Sequence, residues 1–196
     1  PMVSATGEVL VFNGEIYNHK ILRTELEYYG IKFKSSHSDT ETLLKSLKYW
    51  GIEETLRRIN GMFAFAYFDP SISKIYLARD RIGIKPLYIT KIKDDWFFSS
   101  EIKAFKKVKK IKKILNHSTL SQYLIFRYVP SPLTLFEGIE KIAQAEYCEL
   151  SIESKKIRKV RYWNPLKNSI VDNMSKTESV DKLESLICLL YTSPSL

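Results

Sequence analysis

The sequence predicts an α+β domain, in which helices pack against an antiparallel sheet. Between residues 19 and 59 apolar side chains recur with helical spacing, and from residue 62 they follow a strand-like pattern. Short turn segments such as Asp69-Pro70 separate the strand-like runs, as is typical of hairpins. With 44% hydrophobic residues among 196, the chain can bury a core, so general disorder is excluded.

The first sixty residues are predicted to hold two short strands and three helices. The second helix opens with a capping box, because Ser38 can accept from the backbone of Glu41 while Glu41 returns the bond. In order, the predicted elements are a strand over 8–12, a turn at Asn13-Gly14, a helix over 19–29 ended by Gly30, a strand over 31–34, a helix from Ser38 to just before Gly51, and a helix over 53–59.

The next hundred residues are predicted to be mainly antiparallel strands. Ala64 and Ala66 alternate with aromatic residues, which predicts a strand with a close neighbour on one face. The predicted elements are hairpins of 62–68 with 74–79 and of 86–92 with 96–99, helices over 101–105 and over 118–126 with Ser118 as its cap, and a closing hairpin of 147–152 with 157–163.

The chain is predicted to contain one domain and the beginning of another. Residues 1–165 form the first domain, which is incomplete, and residues 166–187 form a linker and the start of the second, with a helix from Lys176. Residues 188–196 fit neither and are predicted to be a non-native tail. Because Pro1 is not a natural translation start, we expect a piece of a longer protein.

Charge and cysteine content argue against several function classes. The formal net charge is +9, but residues 106–113 alone hold six lysines without interleaved aromatic residues, so a solvated surface is favoured over a nucleic-acid interface. Two cysteines and three scattered histidines provide no disulfide framework and no metal-ligand spacing. No apolar run is long enough to cross a bilayer. The predicted location is a reducing cytoplasm.

Asn13-Gly14-Glu15 is the first segment that could carry chemistry. The side-chain amide of Asn13 and the backbone N–H of Gly14 are neighbouring donors that could hold the oxyanion of a tetrahedral intermediate. Glu15 adds a carboxylate suited to an ammonium group. Taken alone, these residues favour a plain β-turn with a surface glutamate.

Two further charged segments are open to structural and functional interpretations. Asp39 could bind the α-amino group of an amino acid, but helix capping and the helix dipole account for it without any ligand. Residues 79–85 carry four charges and a glycine between two strands and could bind an anion. Charged loops mostly pair internally or stay solvated, so a structural role is favoured here.

Together and in this order, the segments resemble the glutaminase domain of glutamine-hydrolysing asparagine synthetases. The blocks that carry the resemblance are Asn13-Gly14-Glu15-Ile16-Tyr17-Asn18, Ser38-Asp39-Thr40-Glu41, Asn60-Gly61-Met62-Phe63-Ala64-Phe65-Ala66, Ala78-Arg79-Asp80-Arg81 with Gly83 and Lys85-Pro86-Leu87-Tyr88, and Ser99-Ser100-Glu101-Ile102-Lys103-Ala104. The likeness extends from Pro1 to about Pro165.

The resemblance implies a four-layer αββα N-terminal-nucleophile (Ntn) hydrolase fold, in which an N-terminal cysteine attacks the side-chain amide of glutamine and its α-amine acts as base. By position, Asn13 and Gly14 would form the oxyanion hole, and Asn13, Gly14, Glu15 and Asp39 would bind L-glutamine. Ammonia would pass to a C-terminal synthetase domain, where ATP and Mg²⁺ activate aspartate. No cofactor or metal is implied for the present segment. The oligomeric state stays open, with a homodimer among the expectations.

The chain also departs from the family pattern. The nucleophilic cysteine is expected before Pro1, neither Cys148 nor Cys188 can replace it, and the arginine loop that would grip the substrate carboxylate is missing. The proline-glycine turn of the family is replaced by Ala143-Gln144-Ala145-Glu146. The chain alone is therefore predicted not to hydrolyse glutamine, and loss of part of the sheet is expected to expose a strand edge. The alternatives are a glutaminase-like interaction module without turnover and a basic nucleic-acid-binding domain.

Overall fold

The computed structural model describes residues 1–111, 114–166 and 174–192, the side chains of 189–192 excepted. The chain divides into two compact units, Pro1–Asn164 and Pro165–Leu196. The strands are β1 (Met2–Val3), β2 (Val9–Ile16), β3 (Gly61–Asp69), β4 (Lys74–Arg79), β5 (Tyr88–Ile92), β6 (Asp95–Ser99), β7 (Ile139–Lys141), β8 (Glu146–Ser151) and β9 (Ile157–Arg161). The helices are α1 (His19–Tyr28), α2 (Asp39–Arg58), α3 (Ile102–Phe105), α4 (His117–Phe126) and, in the second unit, α5 (Lys176–Thr192).

The strands of the first unit form two antiparallel sheets. The larger sheet has the order β1-β2-β3-β4-β8-β9, and the smaller has the order β6-β5-β7. The predicted hairpins β3–β4, β5–β6 and β8–β9 are all present. Their turns fall where the polar residues between the strand-like runs predicted them.

Three apolar clusters hold the first unit together as four layers. On one face of the larger sheet, Phe63 and Phe65 pack with Leu43 and Leu47 of α2. The opposite face meets the smaller sheet, and the third cluster covers the outer face of the smaller sheet. Side chains shared between the two sheets include Ala64, Ala66, Leu77, Leu87, Ile89 and Cys148, and those on the outer face of the smaller sheet include Tyr88, Ile92, Ile102, Phe105 and Ile139. The prediction that Ala64 and Ala66 face a close neighbour is confirmed. Alternate side chains of β3 point to opposite faces, so these alanines face the smaller sheet while Phe63 and Phe65 face α2.

Several predicted boundaries are wrong for identifiable reasons. Residues 31–34 form no strand, because the backbone N–H groups of Lys34 and Ser35 donate to the carboxylate of Glu41. Asn116, not Ser118, is the residue before α4, and its carbonyl accepts from the N–H of Thr119.

The break predicted between two helices is present within α2, and two short strands were missed. Gly51 adopts φ of +75° and ψ of 178°, which is not helical, so it divides α2 into the two helices predicted on either side of it. The strands β1 and β7 have only two and three residues, too few for a period to emerge.

The second unit is described over residues 165–166 and 174–192. The helix predicted from Lys176 is present and continues to Thr192, so residues 188–192 of the expected tail are helical. Most of the predicted linker and residues 193–196 lie outside the described residues.

Candidate functional site

Asn13 and Gly14 lie within β2, and the predicted turn at this position is wrong. Asn13 pairs with Ala64 and Gly14 with Phe63 of β3. Two glycines allow the strands to approach closely here: a Cβ added to Gly14 would lie 2.1 Å from the carbonyl oxygen of Met62, and one added to Gly61 would lie 2.1 Å from that of Glu15. The pairing of whole strands therefore overrides the turn preference of the Asn-Gly pair.

The backbone N–H of Gly14 points towards an open strand edge. Phe63, which faces Gly14 across the two strands, donates its N–H to Asp80 Oδ2 at 3.3 Å and accepts from the Asp80 N–H at 2.9 Å. Alternate residues of an antiparallel strand direct their backbone N–H and C=O groups to opposite neighbours. The backbone groups of Phe63 therefore point away from β2, and those of Gly14 point away from β3. On that side β1 pairs only with Val9 and Leu10. Among the described residues the Gly14 N–H has no acceptor.

Asp39 lies at the same edge of β2. Ser38 caps α2 by accepting from the Glu41 N–H at 3.1 Å, which sets Asp39 on the first turn. There Asp39 Oδ2 accepts from the Ile16 N–H at 3.2 Å. Because Ile16 is two residues beyond Gly14 on one strand, their N–H groups point the same way and are separated by about 7 Å. The structure thus brings the Asp39 carboxylate and the Gly14 donor to one edge.

The capping box predicted around Ser38 is only half formed. Glu41 does not return the bond, because its carboxylate accepts from the N–H groups of Lys34 and Ser35 and from Ser35 Oγ at 2.6 Å. Burial acts to raise the pKa of Glu41, but the hydrogen bonds from Ser35 and Lys34 and the charge of Arg23 outweigh it, and the net pKa is lowered. Glu41 therefore anchors the loop that precedes α2.

Arg23 supports the same helix start and was missed in the sequence. The side chain is buried, donates to the carbonyl of Ser35 and, at 3.4 Å, to that of Ser38, and lies 4.1 Å above the ring of Phe33. A sequence signal existed, since an arginine between Leu22 and Leu26 interrupts the buried face of α1.

The side chain of Asn13 faces the space between the two sheets. Its Nδ2 donates to Oγ of Ser100, which follows β6 in the smaller sheet, at 3.2 Å. Both residues border an open cleft of about 390 Å³, a size typical of small-molecule sites. Apolar residues of both sheets line it, including Val11, Ala64, Ala66, Leu87 and Phe98.

Glu15 follows the strand alternation and lies on the same face of β2 as Asn13. Burial raises the pKa of the Tyr17 hydroxyl, and the charges of Glu15 and Asp80 raise it further. Within the described part of the chain, the Glu15 side chain has no hydrogen bond or ion pair. All four predicted site residues thus lie at or beside one end of β2.

Residues 1–163 match the family model described as a glutamine amidotransferase domain. The chain belongs to this family. Asparagine synthetase [glutamine-hydrolyzing] 1 of Bacillus subtilis (strain 168) is 41% identical over 68% of the chain and 21% of its own length. Asparagine synthetase [glutamine-hydrolyzing] 3 of the same strain is 38% identical over 88% of the chain and 26% of its own length. A putative asparagine synthetase [glutamine-hydrolyzing] 2 of Methanocaldococcus jannaschii is 32% identical over 89% of the chain and 34% of its own length.

These comparisons confirm the predicted resemblance to the amidotransferase domain of asparagine synthetases. The chain spans about a fifth to a third of the length of these curated relatives. Among solved structures, the glutamine phosphoribosylpyrophosphate amidotransferase from B. subtilis, complexed with ADP and GMP, is similar over 83% of the chain and 31% of its own. The TM-score is 0.58 and the identity 22%, which confirms the Ntn-hydrolase fold.

The loop at residues 79–85 of this amidotransferase domain is internally paired, as the charge pattern favoured. The buried Asp80 carboxylate accepts five backbone N–H groups, from Phe63, Ile82, Gly83, Ile84 and Lys85. Arg79 donates to the carbonyls of Lys85, Ile142 and Gly83 at 2.7–2.8 Å. Burial lowers the pKa of the Arg79 guanidinium. With the Arg79 guanidinium and the Asp80 carboxylate bonded to backbone groups, this loop is a structural connection.

Cys148, the cysteine of the first unit, does not resemble a nucleophile. Cys148 is fully buried between the sheets, and burial raises the pKa of its thiol to about 12. A thiol held in its neutral form is inert, since the thiolate is the reactive species. Cys188 lies on α5 in the second unit, with an exposed side chain.

The lysine run provides no formed interface where it is described. Lys106, Lys107, Lys109 and Lys110 are exposed, while Val108 and Ile111 between them pack on the smaller sheet. Lys112 and Lys113 lie outside the described residues. Over the described ranges, no helix is long and apolar enough to span a membrane, and no three His, Cys, Asp or Glu side chains gather as a metal site.

Proposed function

We propose that this chain is the glutaminase part of a glutamine-dependent asparagine synthetase. In this proposal the domain hydrolyses L-glutamine to glutamate and ammonia, and a following synthetase domain uses ATP and Mg²⁺ to transfer the ammonia to aspartate in the cytoplasm. Family membership and the names of the relatives support it. The observation that carries it is the end of β2, where the Asn13 amide, the Gly14 N–H and the Glu15 carboxylate lie on one strand and the Asp39 carboxylate lies beside it.

The two donors of the site suit the reaction's oxyanion. Attack on the side-chain amide of glutamine makes a tetrahedral intermediate whose oxygen carries negative charge. The Gly14 N–H faces an open edge, and the Asn13 amide keeps a second N–H after donating one to Ser100. Donors held in place before the reaction stabilise this charge without reorganising, which is the principal electrostatic contribution in such enzymes.

The two carboxylates suit the amino-acid end of the substrate. The α-ammonium group of glutamine has three N–H donors and a full positive charge, and charge-assisted hydrogen bonds to carboxylates are strong. Glu15 has no protein partner in the described part of the chain. Asp39 uses one oxygen for Ile16 and the other for Thr40 Oγ1 at 3.2 Å, and carboxylate oxygens accept more than one bond each.

The nucleophile in this proposal is a cysteine ahead of Pro1, because Cys148 is buried with a neutral thiol. We therefore expect a full-length protein that contains this chain to release glutamate from glutamine, and the chain alone to release none. Glutamate release by the isolated chain, or none by the full-length protein, would contradict this assignment.

The site roles are tested by replacing Asn13 in the full-length protein. We expect Asn13→Ala to lower kcat for glutamine hydrolysis about 100-fold or more and to change KM little, because an oxyanion donor acts in the transition state. Asn60→Ala is the matched control, since Asn60 also precedes a glycine, is exposed, and makes no side-chain hydrogen bond in the described structure. An unchanged kcat in Asn13→Ala, or an equal loss in both variants, would overturn the role of Asn13.

A further inference from the structure

Ser100 is the residue through which the smaller sheet reaches the candidate oxyanion site. It follows β6 and precedes α3, and its Oγ accepts from Asn13 Nδ2 at 3.2 Å. Within the described structure this is the one hydrogen bond of the Asn13 side chain. Asn13 itself belongs to the larger sheet, so the contact joins the two sheets across the mouth of the cleft.

The contact matters because the Asn13 side chain is otherwise exposed. A side-chain amide rotates about two bonds, and a donor that must first be oriented loses part of its value in the transition state. A hydrogen bond to Ser100 holds one N–H of the amide and leaves the second N–H for a ligand.

We propose that Ser100 is a positioning residue for glutamine hydrolysis, which acts by holding the Asn13 amide in the orientation that receives the oxyanion. The inference rests on the proposed function. It adds the residue that follows β6 of the smaller sheet to a site otherwise built from β2 and the start of α2.

The neighbouring Ser99 provides a matched comparison. Its Oγ accepts from the Glu101 N–H at 3.1 Å, just before α3, and within the described structure makes no hydrogen bond to Asn13. Removing either hydroxyl takes one oxygen from adjacent residues at the end of β6. Only the loss of Ser100 removes the bond to Asn13.

The test uses steady-state glutaminase kinetics of the full-length protein. We expect Ser100→Ala to lower kcat about fivefold with KM for glutamine unchanged, the factor that one hydrogen bond of ordinary strength is worth. Ser100→Thr, which keeps the hydroxyl, should restore most of the loss, and Ser99→Ala should stay within about twofold of the parent. In an Asn13→Ala background the Ser100→Ala change should have no further effect, because a residue that acts through Asn13 has nothing left to position.

Each other outcome is decisive. An unchanged kcat in Ser100→Ala, together with a large loss in Asn13→Ala, overturns the role of Ser100 and leaves the proposed function standing. An equal loss in Ser99→Ala and Ser100→Ala, or a further loss on the Asn13→Ala background, assigns the effect to the loop and overturns the inference. An unchanged kcat in Asn13→Ala overturns the oxyanion role itself, and the role of Ser100 with it.

Discussion

Two polar segments lie on opposite sides of Phe63: the loop at residues 79–85 and the end of β2. The loop bonds its polar groups within the protein, and the end of β2 leaves some of its polar groups open. On one side, the Asp80 carboxylate accepts from the Phe63 N–H, and the Asp80 N–H donates to the Phe63 carbonyl. The same carboxylate accepts four further N–H groups from its own loop. On the other side, Gly14 faces Phe63 with its own N–H turned to an open edge. Beside Gly14, the Glu15 carboxylate has no partner within the described residues.

Whether polar groups already have partners in the protein distinguishes a structural segment from a candidate binding site more clearly than the residue types do. In the sequence both segments combine a carboxylate with a nearby glycine, and for each the residues alone favoured a structural role over a ligand site. A buried polar group whose bonds are all made within the protein has nothing to offer a substrate. Groups that converge at one place with unused capacity are the ones available for binding.

The largest effect that would test this contrast is on stability, at Asp80. We expect Asp80→Ala to lower the free energy of unfolding by about 3–5 kcal/mol, because five backbone N–H groups lose the buried carboxylate and, among the described residues, only that of Gly83 keeps another acceptor, the Asp80 carbonyl. Urea denaturation of the chain measures it. Asp94→Ala is the control, since the Asp94 side chain is 71% exposed and 3.7 Å from Lys155, and it should change stability by less than about 0.5 kcal/mol. An equal free energy of unfolding for the two variants would contradict the structural role of Asp80.

A second satisfied carboxylate, Glu8, gives a test by pH. Burial acts to raise its pKa, but hydrogen bonds from Ser4, Thr6 and Lys48 outweigh it and lower the pKa from 4.5 to about 2. A carboxyl whose pKa is depressed by folding stabilises the protein above pH 4.5, and this contribution is lost as pH falls towards 2.

Glu8→Gln should therefore remove about 1–3 kcal/mol of the stability difference between pH 4.5 and pH 2. Urea denaturation at a series of pH values measures the slope. Glu153→Gln, at an exposed position, should follow the parent throughout. A Glu8→Gln variant with the same slope as the parent would show that Glu8 is not held in its charged form.

The smallest expected effect is at Ala145, which directly precedes β8. Ala145 is buried and adopts φ of +57°, a left-handed conformation that its Cβ disfavours. The Ala145 N–H donates to the backbone carbonyl of Asp80 at 2.9 Å, and the Ala145 carbonyl accepts from the Tyr162 N–H, so both backbone groups hold this conformation. Ala145→Gly should raise the free energy of unfolding by about 0.5–1 kcal/mol, measured by thermal melting. A decrease would contradict the strain assigned to this turn.

The sequence predicts the elements of this fold well where local chemistry decides them. The hairpins β3–β4, β5–β6 and β8–β9 were predicted from alternation and polar turns, and all three form. The prediction fails where pairing decides. Asn13-Gly14 prefers a turn locally, but Met62 and Phe63 continue the ladder beside it, and only a glycine leaves room for that approach.

The sequence groups the candidate site residues, but it does not predict which of their polar groups are left open. The motif blocks predicted that Asn13, Gly14, Glu15 and Asp39 act together, and all four lie at one end of β2 or beside it. Which backbone groups are open depends on the register of Gly14 with Phe63 and on the bonds of Asp80. Both are long-range features that no window of the sequence contains. Ser100, 87 positions from Asn13, could not have been paired with it for the same reason.

The most direct measurement pairs the melting temperature of Glu15→Gln with its KM for glutamine, both in the full-length protein. A carboxylate kept for the ligand should be dispensable for folding, so we expect a melting temperature within about 1 °C of the parent. We expect KM to rise about tenfold or more, because a charged partner of the α-ammonium group is lost. An unchanged KM, or a lowered melting temperature without a change in KM, would contradict the assignment of the open groups at the end of β2 to glutamine.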